Sequence, residues 1–374
     1  MKTKIIGFII TIGLWVTACV EPFELGVVSD LRILTVDATL TDIAKEQRVT
    51  ISESFNAKGT AFNSPILKAS VELLINGKET VKFIEKGEGI YALPTNFELK
   101  TGTSYQLFFT KNDGSSYKSG IEKLVEVPEI IRIHDVFYKD GILKEEKFIP
   151  ANFVYIDTKD PAEEKNNYLW TWQLWEKQDI CITCEGGRYY PNTGCRAQNE
   201  YQGLFFDYYC EGDCWDILRS SELNVLNDFT SNGKTISNRL VAQIPYYTTN
   251  GALIEISQQS ISNEAYKYLK LLADQTQNTG TLVDTPPAAL IGNITNINNT
   301  SEPVAGFFMV KSIKSKRYWI DRKEPNELKI KTVGLRDHTL SQEPPVSGEI
   351  GRPPLVKCLL SPTRTPNKPD GWLQ

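Results

Sequence analysis

Cysteines are the residues of this chain whose spacing most restricts their chemistry. Seven occur in 374 residues, and one of them, Cys19, follows a short apolar run near the start. The other six form an even set, which in an exported chain predicts disulfide bonds. The sequence leaves their pairing open. Because five lie close together and one is distant, the distant one is predicted to tie the C-terminal tail to the rest: the set is Cys181, Cys184, Cys195, Cys210, Cys214 and Cys358.

Cys181 and Cys184 also form a C-x-x-C pair, a pattern found in redox enzymes and in zinc sites. Redox chemistry needs this pair at the start of a helix, whereas here it follows a strand pattern and precedes Gly186 and Gly187. Zinc needs two close pairs at suitable spacing, and Cys195 lies alone between the pairs. Structural disulfides are the favoured interpretation, with zinc and redox chemistry as alternatives, and no metal site is predicted.

The same stretch is rich in aromatic residues. Tyrosine and tryptophan combine a large contact area with a polar group and are enriched where proteins bind partners. The alternative is that these rings fill the small core of the cysteine-rich region. The residues predicted to contact a ligand or partner are Tyr189, Tyr190, Tyr201, Phe205, Tyr208 and Trp215.

Four acidic residues in this stretch could supply oxygen ligands to Ca²⁺. Their spacing lacks the regularity of a calcium loop, so a solvated acidic face is the simpler interpretation and no cofactor is predicted. The four are Asp207, Glu211, Asp213 and Asp216.

Catalysis by a nucleophile needs a nearby base, and histidine is the usual one. The chain has two histidines, His134 in a strand pattern and His338 in a polar segment. It contains no Gly-x-Ser-x-Gly elbow, no His-Glu-x-x-His pair and no phosphate-binding glycine loop. The sequence therefore predicts a protein that is not an enzyme and has no catalytic residues. A hydrolase using two carboxylates that meet in the fold is a lesser alternative.

The first residues predict export and a lipid anchor. Lys2 and Lys4 precede an apolar run from Ile5 to Val16 that is too short to span a bilayer, and small residues then lead to Cys19. This pattern resembles the bacterial lipobox, in which the cysteine is acylated and the signal is cleaved before it. Residues 1–18 are thus predicted to be a signal peptide, Cys19 the lipid anchor and residues 19–30 a linker. The covalent lipid is the sole cofactor-like group expected.

The net charge of the chain and its acidic residues near Cys19 bear on its partners and its location. Removing residues 1–18 takes away two lysines and no acidic residue, so the formal net charge changes from −5 to −7. Mild acidity argues against nucleic acid or an anionic membrane surface as a partner. Acidic residues just after Cys19, Glu21 and Glu24, resemble the signals that send Bacteroidota lipoproteins to the cell surface. The predicted location is the outer membrane, facing the exterior.

The rest of the sequence predicts a mainly β protein. Alternating apolar residues and turn signals such as Asn76-Gly77 indicate a sandwich of immunoglobulin or fibronectin type over residues 31–127. Val127-Pro128 is the predicted boundary, because proline restricts the backbone of both residues. A larger β-rich domain over 128–374 is expected to contain one helix at 263–278, with Ser262 as its N-cap, and a disulfide-rich insertion at 181–215.

Several segments resemble a Bacteroidota lipoprotein family known as domain of unknown function 4249. They are Cys19 to Phe23, Leu34 to Asp42, Gln259 to Tyr266, Gly292 to Ile294 with Val304 to Phe308, and Lys368 to Trp372. The resemblance implies a surface lipoprotein encoded beside SusC-like TonB-dependent transporters. It therefore predicts a non-enzymatic accessory or ligand-capture subunit of such a barrel or of a related outer-membrane complex. The alternative is a free-standing adhesin or module that binds glycans or peptides.

Overall fold

The computed structural model describes residues 32–57, 60–163, 165–277, 290–345, 348 and 350–373. The chain is mainly β, as predicted. The strands up to residue 123 are β1 (Arg32–Thr41), β2 (Arg48–Ala57), β3 (Thr60–Pro65), β4 (Ser70–Ile75), β5 (Glu79–Lys82), β6 (Ile84–Gly87), β7 (Ile90–Ala92), β8 (Ser104–Thr110), β9 (Ser116–Ser119) and β10 (Glu122–Lys123).

The middle of the chain continues with longer strands and one main helix. These elements are β11 (Ile130–Lys144), β12 (Lys147–Lys159), β13 (Asn167–Lys177), β14 (Ile180–Glu185), β15 (Gly187–Tyr190), β16 (Gly194–Ala197), a 3₁₀ turn (Asn199–Tyr201), β17 (Phe205–Glu211), β18 (Trp215–Arg219), β19 (Asn224–Asn227), β20 (Thr235–Pro245), β21 (Ala252–Ser260) and helix α1 (Asn263–Gln277). The last elements are β22 (Ile294–Asn296), β23 (Val304–Lys311), β24 (Ile313–Ile320), helix α2 (Lys323–Glu327), β25 (Val356–Lys357) and β26 (Arg364–Thr365).

Sandwich 1 is built from two facing sheets. One has the order β23-β1-β2-β7-β6 with β3 beside β2, and the other has the order β22-β9-β8-β4-β5 with β10 beside β8. Side chains on a strand alternate between faces, and in β1 every second residue from Leu34 to Leu40 is buried in the space between the sheets. The predicted hairpin turn is present, with Asn76 and Gly77 both at positive φ.

Two strands of sandwich 1 come from the region predicted to belong to the second domain. β23 runs parallel to β1, with Leu34 opposite Val304, and β22 pairs with β9. Gly306 permits the contact, since a Cβ there would lie 1.9 Å from the Val36 carbonyl oxygen. Sandwich 1 is therefore not confined to residues 31–127. A periodic pattern identifies a strand but not its distant neighbour, which is why the sequence did not indicate this crossing.

Sandwich 2 packs a three-stranded sheet, β11-β12-β20, against the sheet β24-β21-β13-β18-β26, which has β19 beside β13. Its core contains Trp170 and Leu174 of β13 and Ile254 and Ile256 of β21, all fully or almost fully buried. The buried Trp170 indole donates a hydrogen bond to Gln258 Oε1 at 2.9 Å, which satisfies its polar atom.

Helix α1 covers the outer face of β23. Its N-cap is Ser262, as predicted, because the Ser262 hydroxyl accepts a hydrogen bond from the Ala265 amide at 3.1 Å. Ala265 and Leu269 then pack against Phe307. The predicted helix extended to residue 278, which lies outside the described residues. The sequence predicted a single helix and missed the short α2, which has too few residues to show helical periodicity. No helix in the described part of the chain is long and apolar enough to cross a membrane.

Candidate functional site

The disulfide knot is the region formed by residues 178–215 and by the described tail residues between 335 and 364 that pack on them. Its sheet has the order β14-β17-β25, and the hairpin β15/β16 lies beside it. All six predicted cysteines form bonds, which join Cys181 to Cys210, Cys184 to Cys195 and Cys214 to Cys358. The third bond ties the tail to the knot, as predicted. The two cysteines of the C-x-x-C pair are bonded to different partners, so they do not form a redox pair with each other.

The apolar core of the knot is small. Beside the cysteines, it contains the buried Phe206, Tyr208 and Val356. Such a core contributes little stability through burial of apolar surface. Disulfide bonds and buried ion pairs therefore contribute a larger part of the stability of this region.

Buried charge is concentrated at Glu343 of the tail. Its carboxylate accepts hydrogen bonds from the Arg188 guanidinium at 3.2 Å, from Arg352 at 2.5 and 2.6 Å, and from the Tyr208 hydroxyl at 2.5 Å. Burial alone would raise the pKa of Glu343, but the hydrogen bonds from Arg352, Arg188 and Tyr208 outweigh it and lower this pKa to about 2. Burial and the contact with Glu343 raise the pKa of Tyr208 to about 12. The ionised carboxylate therefore holds the tail to β15 and β17.

A second polar cluster holds residues 336–341 of the tail. Asp207 is fully buried and accepts hydrogen bonds from the Thr183 hydroxyl at 2.7 Å and the Ser341 amide at 3.0 Å. His338 Nε2 lies 3.1 Å from both Asp207 carboxylate oxygens. Burial opposes ionisation of Asp207, yet these contacts lower its pKa. These contacts fix the tail at His338 and Ser341 against β14 and β17.

A groove of about 800 Å³ separates the hairpin β15/β16 from the tail. Its apolar walls come from Ile182 and Tyr189 on one side and from Leu355 and Leu359 on the other. Leu355 is 58 % exposed and Leu359 is 73 % exposed, although the bond through Cys358 fixes this segment in place. The complete lining is Cys181, Ile182, Tyr189, Pro191, Asn192, Gly194, Glu211, Leu355, Val356, Lys357, Leu359, Ser361, Thr363 and Arg364.

Four of the six predicted aromatic contact residues lie at least partly at the surface of the knot. Tyr189 lines the groove, and the Arg352 guanidinium lies 4.7 Å from the ring centre of Tyr190. Tyr201 is half-buried and meets Phe206 edge to face. Phe205 is 38 % exposed and stacks on His338.

The other two predicted contact residues are buried, so the structure corrects this part of the prediction. Tyr208 is fully buried and its hydroxyl is used by Glu343. Trp215 is 2 % exposed and packs at the base of the knot against Trp372, with 5.8 Å between ring centres. Tyr208 belongs to the small core of the knot, and Trp215 belongs to a separate apolar cluster with Trp175, Leu253 and Trp372.

The predicted acidic group does not converge on one point. Asp207 faces His338, Asp216 forms an ion pair with Arg364 at 2.7 Å, and Asp213 forms one with Lys177 at 2.9 Å. Glu211 lines the groove. Since each of the first three has its own side-chain partner, the group is divided among separate contacts.

Sequence reasoning missed the charged residues that hold the tail to the knot. Arg188, Glu343 and Arg352 carry no motif, and their convergence depends on the fold. Two signals were available: Cys358 indicated that the tail returns to the knot, and Leu359-Leu360 is an apolar pair in a proline-rich segment. The end of the tail is also fixed, because Trp372 packs on Trp319 with 4.9 Å between ring centres.

The predicted signal peptide, Cys19 and the linker at 19–30 lie outside the described residues. Lipid attachment therefore stays a prediction from the sequence, and the first described residue available for its geometry is Arg32.

Comparison with known proteins gives one informative result. None of the curated proteins matches the chain. A family profile matches residues 20–317, a span that includes sandwich 1, the cysteine-rich strands β14–β17 and α1, and that ends within β24. The tail that forms one wall of the groove lies beyond the match. Because the match covers most of the sequence, the chain belongs to the family described as Domain of unknown function (DUF4249).

Proposed function

We propose that this chain is a lipid-anchored, non-enzymatic capture subunit on the outer face of the outer membrane, working with a SusC-like TonB-dependent transporter. The anchor and the location rest on the lipobox pattern around Cys19. The transporter rests on the family resemblance. The observation that supports capture is the groove of the disulfide knot.

The groove has the features of a preformed binding site. Its volume falls within the usual range of ligand pockets, roughly 300 to 1,000 Å³. Its apolar walls offer contact area, and the charged rim residues Lys357 and Glu211 offer orientation. Two disulfides and the buried Glu343 cluster hold both walls, so little conformational entropy is lost when a ligand binds.

The lining also favours binding over catalysis. Among the described residues of the groove, Glu211 is the one carboxylate and there is no histidine. The hydroxyls of Ser361 and Thr363 lie 3.4 Å apart and contact each other. A hydroxyl nucleophile needs a base beside it, and a carboxylate mechanism needs two acids.

The test is a gentle detergent extraction of the native, lipidated protein from outer membranes, with mass spectrometry of what accompanies it. We expect a stoichiometric TonB-dependent barrel. The Leu355→Asp/Leu359→Asp variant should lose the captured ligand or partner, because it places two charges in the apolar wall. Leu328→Asp is the matched control, since Leu328 is 60 % exposed but lies outside the groove. Recovery of the wild-type protein alone would contradict the transporter role.

A second candidate function, a free-standing module that binds glycans, is favoured by a different cleft. β18 ends at Arg219 and β19 begins at Asn224, so residues 220–223 leave the edge of the sheet beside Trp172. The resulting cleft of about 370 Å³ combines the Trp172 ring with the polar Ser221 and Glu222. An aromatic ring beside polar groups suits a sugar ring. Trp172→Ala should abolish binding on a glycan array if this cleft is used, and Trp172→Phe should retain part of it.

A further inference from the structure

We propose that one end of sandwich 1, which we call the N-terminal pole, rests on the lipid surface and holds the groove at the opposite end of the molecule. The pole consists of Arg32, Phe55, Phe62 and Ile297. This inference rests on the proposed lipid anchor at Cys19 and adds which surface of the protein contacts the membrane.

The direction of β1 shows that the pole lies at the end of sandwich 1 away from sandwich 2. Its last residues adjoin sandwich 2, because the Asp42 amide donates to the Lys311 carbonyl at 3.2 Å and the Ile313 amide, at the start of β24, donates to the Asp42 carboxylate at 2.9 Å. Its first residue, Arg32, is therefore at the other end of sandwich 1. At about 3.3 Å per residue, the strand separates the two ends by roughly 33 Å.

The direction of β13 shows at which end of sandwich 2 the knot lies. Asn167 begins this strand beside the junction, since its carbonyl accepts from the Ile261 amide at 3.0 Å and the neighbouring Ser260 hydroxyl donates to the Val125 carbonyl. Lys177 ends the strand and leads directly into β14 of the knot. The knot thus lies at the end of sandwich 2 away from the junction, another strand length of roughly 36 Å.

The linker brings the pole near the membrane. Cys19 and Arg32 are separated by few residues, and at 3.3 to 3.6 Å per residue the chain between them reaches at most about 45 Å. An acylated Cys19 therefore keeps the pole within about 45 Å of the lipid surface, while the knot lies about two strand lengths beyond the pole.

The surface of the pole suits that position. Phe62 is 47 % exposed and stacks on Phe55, and the Arg32 guanidinium lies 4.8 Å from the ring centre of Phe55. Ile297, also 47 % exposed, lies in the segment before β23. Rings and aliphatic side chains beside a guanidinium fit the boundary between acyl chains and charged headgroups.

The test uses the full-length lipidated protein reconstituted in vesicles of outer-membrane lipid. A photoreactive benzoylphenylalanine replaces Phe62 in one variant and Phe205 in the other. Phe205 is the matched control, since it is an exposed phenylalanine on the knot. After irradiation, intact-mass analysis should find phospholipid adducts for the variant at position 62 and none for the variant at position 205.

The outcomes separate this inference from the anchor on which it rests. A protein that floats with the vesicles but gives no lipid adduct at position 62, or gives equal adducts at both positions, overturns the inference and leaves the anchor intact. In native membranes, adducts of position 62 with a protein would likewise overturn it, since the pole would then be a protein interface. The Cys19→Ala variant, which lacks the anchor, is not expected to float with the vesicles. If the wild-type protein also fails to float, both the anchor and the lipid contact are refuted.

Discussion

Sandwich 1 and the disulfide knot are stabilised in different ways. The sandwich buries a continuous set of apolar side chains such as Leu73 and Phe109 between two sheets, and its exposed ion pairs contribute little. The knot has a small core and relies on disulfides and on a carboxylate, Glu343, held by two guanidinium groups. The difference shows how a chain can keep apolar residues exposed in a groove. Disulfides and ion pairs made by neighbouring residues hold the segment in place, so the apolar side chains themselves need not be buried.

The largest expected effect comes from cutting the tail free. In the Cys214→Ser/Cys358→Ser variant, the closed loop of the longest disulfide is lost, which removes on the order of 5 kcal/mol from the stability of the knot in the chain-entropy model. Hydrogen exchange should show lost protection in β25 and β17 but unchanged protection in β1. The Cys184→Ser/Cys195→Ser variant opens a much shorter loop and should cost less. Equal loss in sandwich 1 would contradict the comparison.

Removing the charge of Glu343 should have the next largest effect. Glu343→Gln removes the carboxylate charge that Arg188 and Arg352 share, and removing one partner of a buried pair costs about 3 to 5 kcal/mol. The matched control on sandwich 1 is Glu53→Gln, whose partner Arg32 is exposed, and it should cost under about 1 kcal/mol. Limited proteolysis of the tail and denaturant unfolding measure the two changes. Similar costs would mean that the Glu343 cluster is dispensable.

A cavity in the core of sandwich 1 should destabilise sandwich 1 and leave the knot unchanged, the reverse of the two changes above. Leu73 is completely buried, so Leu73→Ala should cost about 3 kcal/mol through lost contacts and an unfilled cavity. The loss should appear in urea unfolding and in exchange from β4 and β8, with the disulfides and the groove intact. Exchange that increases first in the knot would show that the two regions unfold together.

The smallest and most selective effect is an opposite response to pH. Glu343 has a pKa of about 2, below its ordinary 4.5, so its stabilisation is present above pH 4.5 and is lost as pH falls toward 2. Burial raises the pKa of Glu122 from 4.5 to about 8, so its neutral form is favoured and stability near β10 declines as pH rises from 4.5 through 8. Hydrogen exchange should show reduced protection of the knot at pH 3 and reduced protection of the β10 region at pH 8.5. Glu122→Gln should remove the high-pH effect alone.

Local patterns explain why part of this architecture was predictable. Alternation at Leu34 to Leu40, the Asn76-Gly77 turn and the Ser262 N-cap each depend on residues close in sequence, and each is present in the structure. The parallel pairing of β23 with β1 depends on residues about 270 apart, and no local pattern encodes it. The aromatic residues of the knot show the same division: their clustering was visible, but whether Phe205 or Tyr208 faced solvent depended on the tail.

The sequence by itself determined the mainly β class, the family, the even set of disulfide cysteines and the return of the tail through Cys358. It also carries the predicted anchor at Cys19. Only the tertiary structure decided the pairing of the cysteines, the burial of Glu343 between two arginines, and the groove between β15/β16 and the tail. The physical reason is that strand propensity and capping act over a few residues, whereas burial and charge pairing act between residues that only the folded chain brings together.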